Sequence, residues 1–301
     1  MRPKVIAVGG PTATGKTQLG VLIAKTLGGE VVSCDSMQVY KNMQIGTAAP
    51  EKEEMCGIPH HMIGVIDAEK PFSVADYCDM ARPIIADIHE RGLVPIIVGG
   101  TGLYMDSLIS GMAFFDQPDT ADTRAQLEKQ DAAELWQQLE KVDPAAAASI
   151  HQANKKRVIR ALEVAIISGE TMTSRSTRQK DAAPPYDVLK ICLDMADRDT
   201  LRSRCEARVD NMMQKGLLEE VKKLLEKKDI RNSTAIQGIG YKELVAYLDG
   251  AISLESAVEQ IKTSTKKYAK RQRTWFKRDT ATSWYYSDQM DLQAIIDDLP
   301  L

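Results

Sequence analysis

Val5-Ile6-Ala7-Val8-Gly9-Gly10-Pro11-Thr12-Ala13-Thr14-Gly15-Lys16-Thr17 sets a short apolar run before a glycine-bounded loop, and a helical pattern with Leu19, Leu22, Ile23 and Leu27 on one side follows it. Residues 10–17 have the spacing of a P-loop. Glycines at 10 and 15 let the backbone curl so that successive N–H groups and the helix start point at one spot, where they bind phosphate oxygens. Lys16 adds a point charge, and the Thr17 hydroxyl is placed to ligate a magnesium ion on those phosphates. The spacing asks for a pyrophosphate without choosing between a nucleotide and a prenyl diphosphate.

The remaining pattern fits an α/β fold. A chain of 301 residues has length for a full core, and 44% hydrophobic with 27% charged residues is an ordinary globular composition. The formal net charge of −3 does not advertise a polyanion partner, although the basic residues are clustered. Five scattered cysteines without a CxxC pair argue against a disulfide framework and a zinc site, and imply reduced thiols in a cytoplasm. The apolar run at the N-terminus is too short for a signal-peptide core, and no run reaches transmembrane length, so a soluble, cytoplasmic protein is expected.

After Gly28-Gly29, the run Glu30-Val31-Val32-Ser33-Cys34 predicts a second strand that delivers Asp35-Ser36-Met37-Gln38 at its C-terminal end, the edge where ligands bind in open parallel sheets. Asp35 there is a solvated carboxylate, a magnesium ligand through water, or a general base. His60 and His61 are sequence neighbours that point to opposite sides of an extended chain, which favours structural roles over a metal pair. A helix is predicted around 73–91, then a buried strand Val94-Pro95-Ile96-Ile97-Val98, then Gly99-Gly100-Thr101-Gly102, where close backbone approach to a ligand is expected, with the Thr101 hydroxyl free to bond it.

From about residue 116 strand-like runs disappear. Helices are predicted over 123–141, from Pro144 with Asp143 as cap, and over 154–168 up to Gly169. Lys156, Arg157 and Arg160 share one face of the last, a solvated or an RNA-binding one, with Val158, Ile159, Leu162 and Ile166 opposite. Residues 171–185 lack an apolar period and are expected to form a mobile loop. Val188 to Leu193 restores a strand, so the chain divides into a first core segment over residues 1–115, a helical insertion over 116–187 and a second core segment over 188–301. A helix from about 200 to 228 follows, on which Arg204 and Arg208 are surface residues or clamps for an anionic leaving group. Near the C-terminus no acidic residue falls between Lys262 and Arg278, and Lys266, Lys270, Arg273 and Lys277 form one helical stripe suited to RNA. Tyr268 and Trp275 on that helix read as core anchors.

In combination these stretches resemble the bacterial tRNA dimethylallyltransferases, also called isopentenyl-diphosphate:tRNA transferases. The resemblance is carried by residues 10–17, Asp-Ser-Met-Gln-Val-Tyr at 35–40, Ile-Gly-Thr-Ala at 45–48, Pro-His-His-Met-Ile at 59–63 and Val-Gly-Gly-Thr-Gly-Leu-Tyr at 98–104. It continues through Lys-Arg-Val-Ile-Arg-Ala-Leu-Glu-Val at 156–164, Ile-Gly-Tyr-Lys-Glu-Leu at 239–244 and Tyr-Ala-Lys-Arg-Gln-Arg-Thr-Trp-Phe at 268–276. It implies a P-loop NTPase-like parallel sheet flanked by helices, with an inserted all-helical tRNA-binding subdomain. The implied activity moves a dimethylallyl group from its diphosphate to N6 of the adenosine 3′ of the anticodon, position 37, in tRNAs reading codons that begin with U. The implied partners are dimethylallyl diphosphate, held with Mg2+ at Gly10, Pro11, Thr12, Ala13, Thr14, Gly15, Lys16 and Thr17, and the anticodon stem-loop, on a monomer.

By the same resemblance Asp35 is the general base and Thr101 assists at substrate and diphosphate; Arg208, as the clamp for the leaving group, is taken into the catalytic set. RNA contact is implied for Asp35, Ser36, Met37, Gln38, Thr101, Arg124, Lys156, Arg157, Val158, Ile159 and Arg160, with Lys270 and Arg273 on the basic helix. Ala49 stands where the family pattern leads one to expect Lys, and no C-terminal Cys/His finger of the eukaryotic members is present. A small-molecule P-loop kinase would explain the loop but not the basic helix, and the absence of an NKxD motif speaks against a GTPase switch.

Overall fold

In the computed structural model residues 2–112, 114, 121–181, 183–227 and 230–300 are described. Strand β1 (Lys4–Gly9) runs into the glycine loop and α1 (Lys16–Leu27) leaves it for β2 (Gly29–Ser33). Short helices α2 (Gln44–Thr47) and α3 (Lys52–Met55) and the two-residue β3 (His60–His61) precede α4 (Val74–Glu90), β4 (Val94–Val98) and α5 (Gly102–Ile109). Five helices follow: α6 (Ala121–Glu128), α7 (Ala132–Val142), α8 (Pro144–Ser149), α9 (Lys155–Ser168) and α10 (Met172–Asp181). The chain continues with β5 (Asp187–Asp194), α11 (Arg198–Gln214), α12 (Leu217–Leu225), α13 (Tyr241–Leu248), α14 (Leu254–Phe276), β6 (Ser283–Tyr286) and α15 (Leu292–Asp297).

The six strands form one parallel sheet in the order β3-β2-β4-β1-β5-β6. Ile6 and Val8 pack with Leu19 and Ile23 of α1 and Ile295 and Ile296 of α15, while their strand neighbours Val5 and Ala7 are equally buried. Helices covering both faces explain the uninterrupted apolar runs in β1 and β4. Burying each of the large side chains contributes about 1.5–3 kcal/mol before chain entropy is set against it. His61 bonds Glu30 at 2.7 Å and His60 bonds the Ile58 carbonyl at 2.9 Å, structural roles at the β3 edge.

By its internal contacts the chain divides into two compact units, Met1–Ile109 with Pro185–Leu301, and Ser110–Pro184. Among its described residues the second has helices and no strand, and is built on Leu127, Leu135, Leu139, Val158, Ile159 and Leu162. Asp143 caps α8, accepting from Ala146 N at 3.1 Å, and also accepts from the Thr173 amide and hydroxyl at 3.0 and 2.6 Å. That second pair of bonds overturns the expected mobile loop, because α10 forms over most of it. Thr171 bonds Ser174 N at 3.1 Å, and Glu170 pairs with Arg175 and Arg178 at 3.3 and 2.6 Å, so local polar bonds replace the missing apolar period. The single helix expected over 200–228 is two: Gly216, at φ 96°, breaks it between α11 and α12, and the expected end at Lys228 lies outside the described residues. The helix expected over 123–141 likewise divides where Asp131 caps α7.

Candidate active site

The phosphate loop is held in shape by its own atoms. Gly10 adopts φ 130°, and a Cβ there would lie 2.2 Å from the Leu193 carbonyl oxygen, so no other residue fits. Ala13 sits at φ 66°, a left-handed conformation that costs a side-chain-bearing residue on the order of 1–3 kcal/mol and persists only where surroundings enforce it. Three bonds do so. The buried Thr14 hydroxyl donates to the Pro11 carbonyl at 2.9 Å, Lys16 Nζ donates to the same carbonyl, and the Thr12 N–H donates to Gln272 Oε1 at 2.9 Å.

This loop forms one end of a cavity of about 540 Å³ whose lining comes wholly from the first unit. Thr12, Ala13, Gly15, Lys16 and Thr17 share it with Asp35 to Gln38, Gly46 to Ala48, Arg208, residues 237–239, Tyr268 and Arg271. Burial, with Arg208 adding to it, pushes the Lys16 ammonium down to about 8, and Asp35 is among the groups that pull it back up. Burial also lowers the Arg208 guanidinium against the opposing attraction of Asp35. Arg208 Nη2 donates to the Thr47 carbonyl at 3.3 Å, whereas Arg204, one turn away, is exposed. Thr47 closes α2, whose first amides, Ile45 N and Gly46 N, donate to Glu220 at 2.8 and 3.0 Å, with Tyr241 on the same carboxylate at 2.7 Å. Arg208 is thus aimed by a brace that begins on α12.

Past the C-terminal end of β2, two strands from β1 in the sheet, Asp35 Oδ1 accepts from Met37 N at 2.8 Å and Gln38 N at 3.3 Å, and Oδ2 makes no hydrogen bond among the described residues. Thr101 Oγ1 accepts from Ser36 N at 3.0 Å and donates to Ser36 Oγ at 3.4 Å, so its hydroxyl is engaged rather than free, and Tyr268 of α14 lines the same cavity. Burial and the Asp35 charge raise the Tyr268 phenol. Gln38 is committed at both ends of its amide: Oε1 accepts from Ser33 at 2.9 Å and Nε2 donates to the Ala48 carbonyl at 3.2 Å. The glycines around Thr101 make room for protein, since a Cβ at Gly99 would lie 2.0 Å from the Cys34 carbonyl, and Gly99 and Gly100 also line the cavity.

Among the described residues no three His, Cys, Asp or Glu side chains gather to hold a metal. A cation at this loop would draw on the Thr17 hydroxyl, the phosphate oxygens and water. That donor set fits Mg2+, which keeps several waters and tolerates few protein ligands.

Several expected RNA contacts are placed differently. Val158 and Ile159, 0% and 4% exposed, belong to the core of the helical unit, because they lie on the apolar face of α9. Lys156 and Arg157 are exposed, and Arg160 and Arg124 both reach Glu163, a carboxylate 0% exposed, at 3.5 and 2.8 Å. Half of the basic stripe of α14 is paired: Arg273 meets buried Asp194 at 2.6 Å and Lys266 meets Glu206 of α11 at 2.5 Å, as Lys262 ahead of the stripe meets Asp210 at 2.7 Å, while Lys277 is exposed with no ion pair among the described residues. Burial raises the Asp194 carboxyl while Arg273 opposes this. Lys270 remains exposed with no ion pair among the described residues. Trp275 is an anchor, its Nε1 donating to Asp106 at 2.7 Å.

A family described as IPP transferase matches residues 38–279, and one described as isopentenyl transferase matches residues 3–69. The chain belongs to the IPP transferase family. Within the family it is 45% identical over 295 residues to the tRNA dimethylallyltransferase of Halalkalibacterium halodurans, covering 97% of this chain and 93% of that one. The Bacillus subtilis tRNA dimethylallyltransferase is 47% identical over 288 residues, 94% and 90% of the two chains. Among solved structures, the full-length tRNA isopentenylpyrophosphate transferase of Bacillus halodurans superposes with a TM-score of 0.75 at 43% identity, over 98% of this chain and 94% of that one. A eukaryotic dimethylallyltransferase acting on tRNA gives 0.77 at 32% identity, over 91% and 70%.

Sequence reasoning gave no site role to Gln272, the α2–Glu220 brace or the segment 237–242, although 239–244 and 268–276 are among the stretches that carry the resemblance. The one signal available was an uncharged, hydrogen-bonding residue inside an otherwise basic run, one turn after Tyr268.

Proposed function

We propose that this chain transfers the dimethylallyl group of dimethylallyl diphosphate to N6 of the adenosine at position 37, 3′ of the anticodon, in tRNAs reading codons that begin with U. The observation that carries the reading is the sharing of one cavity by a phosphate loop, the cations Lys16 and Arg208, and Asp35 in a member of this family. The adenine amino lone pair is delocalised into the ring, so N6 is a poor nucleophile. Asp35 Oδ2 accepts its proton as the C–N bond forms, a contribution of about two to four powers of ten. The bond from the prenyl carbon to the bridging oxygen breaks with its electrons going to diphosphate, and Lys16, Arg208 and the loop amides stabilise the charge that grows there. Bound Mg2+ supplies further charge neutralisation at the same oxygens.

The target base leaves its stack to enter, at roughly a few kcal/mol offset by contacts in the cavity. Thr101 holds the Ser36 turn that shapes the acceptor end. The exposed cations of α9, Arg124 on Glu163, and Lys270 contact RNA phosphates. The cavity is complete in one chain, which supports a monomer. Among the described residues no helix is long and apolar enough to cross a membrane, in keeping with work on tRNA in the cytoplasm.

The test is direct. Incubation with dimethylallyl diphosphate, magnesium and unmodified tRNA, followed by mass spectrometry of the nucleosides, yields N6-dimethylallyl adenosine from position 37; adenosine left unchanged there removes the reading.

A further inference from the structure

Gln272 is only 5% exposed, yet it is polar and sits in the run of α14 richest in cations. Its Oε1 accepts the Thr12 N–H at 2.9 Å and its Nε2 donates to the Gly100 carbonyl at 3.0 Å. The partners dictate the amide's orientation, since an N–H only donates and a carbonyl only accepts. Space for it is reserved on the facing strand end: a Cβ at Gly100 would lie 2.0 Å from Gln272 Nε2. Gly100 directly precedes Thr101, so one side chain of α14 ties the phosphate loop to the loop that carries Thr101.

We infer that Gln272 is a positioning residue for the transfer reaction: it holds the phosphate loop in its diphosphate-receiving shape and fixes that loop's distance from the acceptor end of the cavity. The inference rests on the function proposed above and deepens it. Gln272 uses up the Thr12 amide, the one directly before the left-handed Ala13, so the amides from Ala13 onward are left to converge on phosphate. Only a neutral side chain with one acceptor and one donor at this length meets both loops. An ionised carboxylate here would leave the Gly100 carbonyl without a donor and set a negative charge beside the incoming diphosphate.

Two variants of the full chain test this. Q272M keeps length and volume but makes neither bond; Q272E makes both bonds only when protonated. Inorganic diphosphate with magnesium is titrated calorimetrically at about pH 7.5 and about pH 5.5, bracketing the range in which a buried Glu takes up its proton. tRNA affinity and thermal unfolding are measured on the same samples. Lys16, Asp35, Arg208, Arg271 and Tyr268 line the same cavity, and Asp194 closes β5 behind the loop. All are present in the wild type, whose titration over the same range serves as the reference for each variant.

The expected result is a loss of about tenfold in diphosphate affinity for Q272M, the scale of one or two hydrogen bonds, with tRNA affinity within about twofold of wild type. Q272E is weakened at the higher pH and recovers toward wild type at the lower. Three results overturn the inference: diphosphate affinity unchanged in Q272M, equal losses toward diphosphate and tRNA together with a lowered Tm, or no recovery of Q272E on acidification. Failure of the transfer reading itself would appear in the wild type, as diphosphate binding without prenylated product, and is thereby distinguished.

Discussion

The phosphate loop closes on sequence neighbours, with Thr14 and Lys16 both returning to the Pro11 carbonyl, whereas the wall around Asp35 joins Ser36 to Thr101 and is lined by Tyr268, which are far apart in the chain. A local nest carries its shape with it and needs one outside prop, Gln272. The acceptor end exists only once β2, β4 and α14 have met. The contrast assigns each end a different vulnerability: the first is sensitive to charge, the second to alignment.

The sharpest way to break that contrast is Asp35→Asn, which keeps an oxygen for the Met37 and Gln38 amides but removes the proton acceptor. Single-turnover transfer should fall about 10²- to 10⁴-fold while tRNA affinity stays within about threefold. An undiminished rate would strip Asp35 of the base role. Arg208→Ala, which removes a cation that faces the leaving diphosphate in the proposed reaction, should lower kcat about 10²- to 10³-fold, on the scale of losing one oxyanion donor. Because the Glu220 brace aims Arg208 through Thr47, Glu220→Gln should move in the same direction by less; equal kinetics for Glu220→Gln and wild type would disconnect the brace from the site.

A milder probe is pH. Only the ammonium form of Lys16 attracts diphosphate, and in the free protein that form is lost as pH rises through about 8. Bound diphosphate raises the value again, so donor affinity should be level below about pH 8 and fall up to roughly tenfold per unit above it. Calorimetry across that range, with Lys16→Arg as the pH-insensitive reference, decides the point; parallel curves for the two proteins would contradict it. The smallest effect belongs to the surface. Lys270→Glu should reduce the slope of log tRNA affinity against log salt by about 0.7–0.9 and leave donor KM alone. An unaltered slope would make Lys270 a solvated side chain and nothing more.

The nest and its strand and helix were legible because the residues that make them are contiguous and their spacing has one geometric solution. Asp35 was legible as a residue at a strand's C-terminal edge. The role of Gln272 was not, since its partners Thr12 and Gly100 are remote in sequence and nothing local distinguishes a buried amide from a solvated one. The same reason hid the pairing of Arg273 with Asp194: a run of cations in sequence says nothing about the carboxylates that another strand or helix brings to it. For α10 the cause was different, because polar caps at Asp143 and Glu170 supply the stability that periodicity looks for in apolar residues.

The strand order of the sheet bears on how the chain is made. β1 is flanked by β4 on one side and β5 on the other, and the whole Ser110–Pro184 unit is encoded between those two neighbours. On the ribosome, β1 must wait with one edge unpaired for the seconds needed to synthesise that unit, at roughly 5–20 residues per second. The helical unit, rich in local contacts, has time to form first. Completion of the sheet, and with it of the Leu193 carbonyl that backs Gly10, is then a late event in biogenesis, and the nascent chain gains a working phosphate site only after its C-terminal half has emerged.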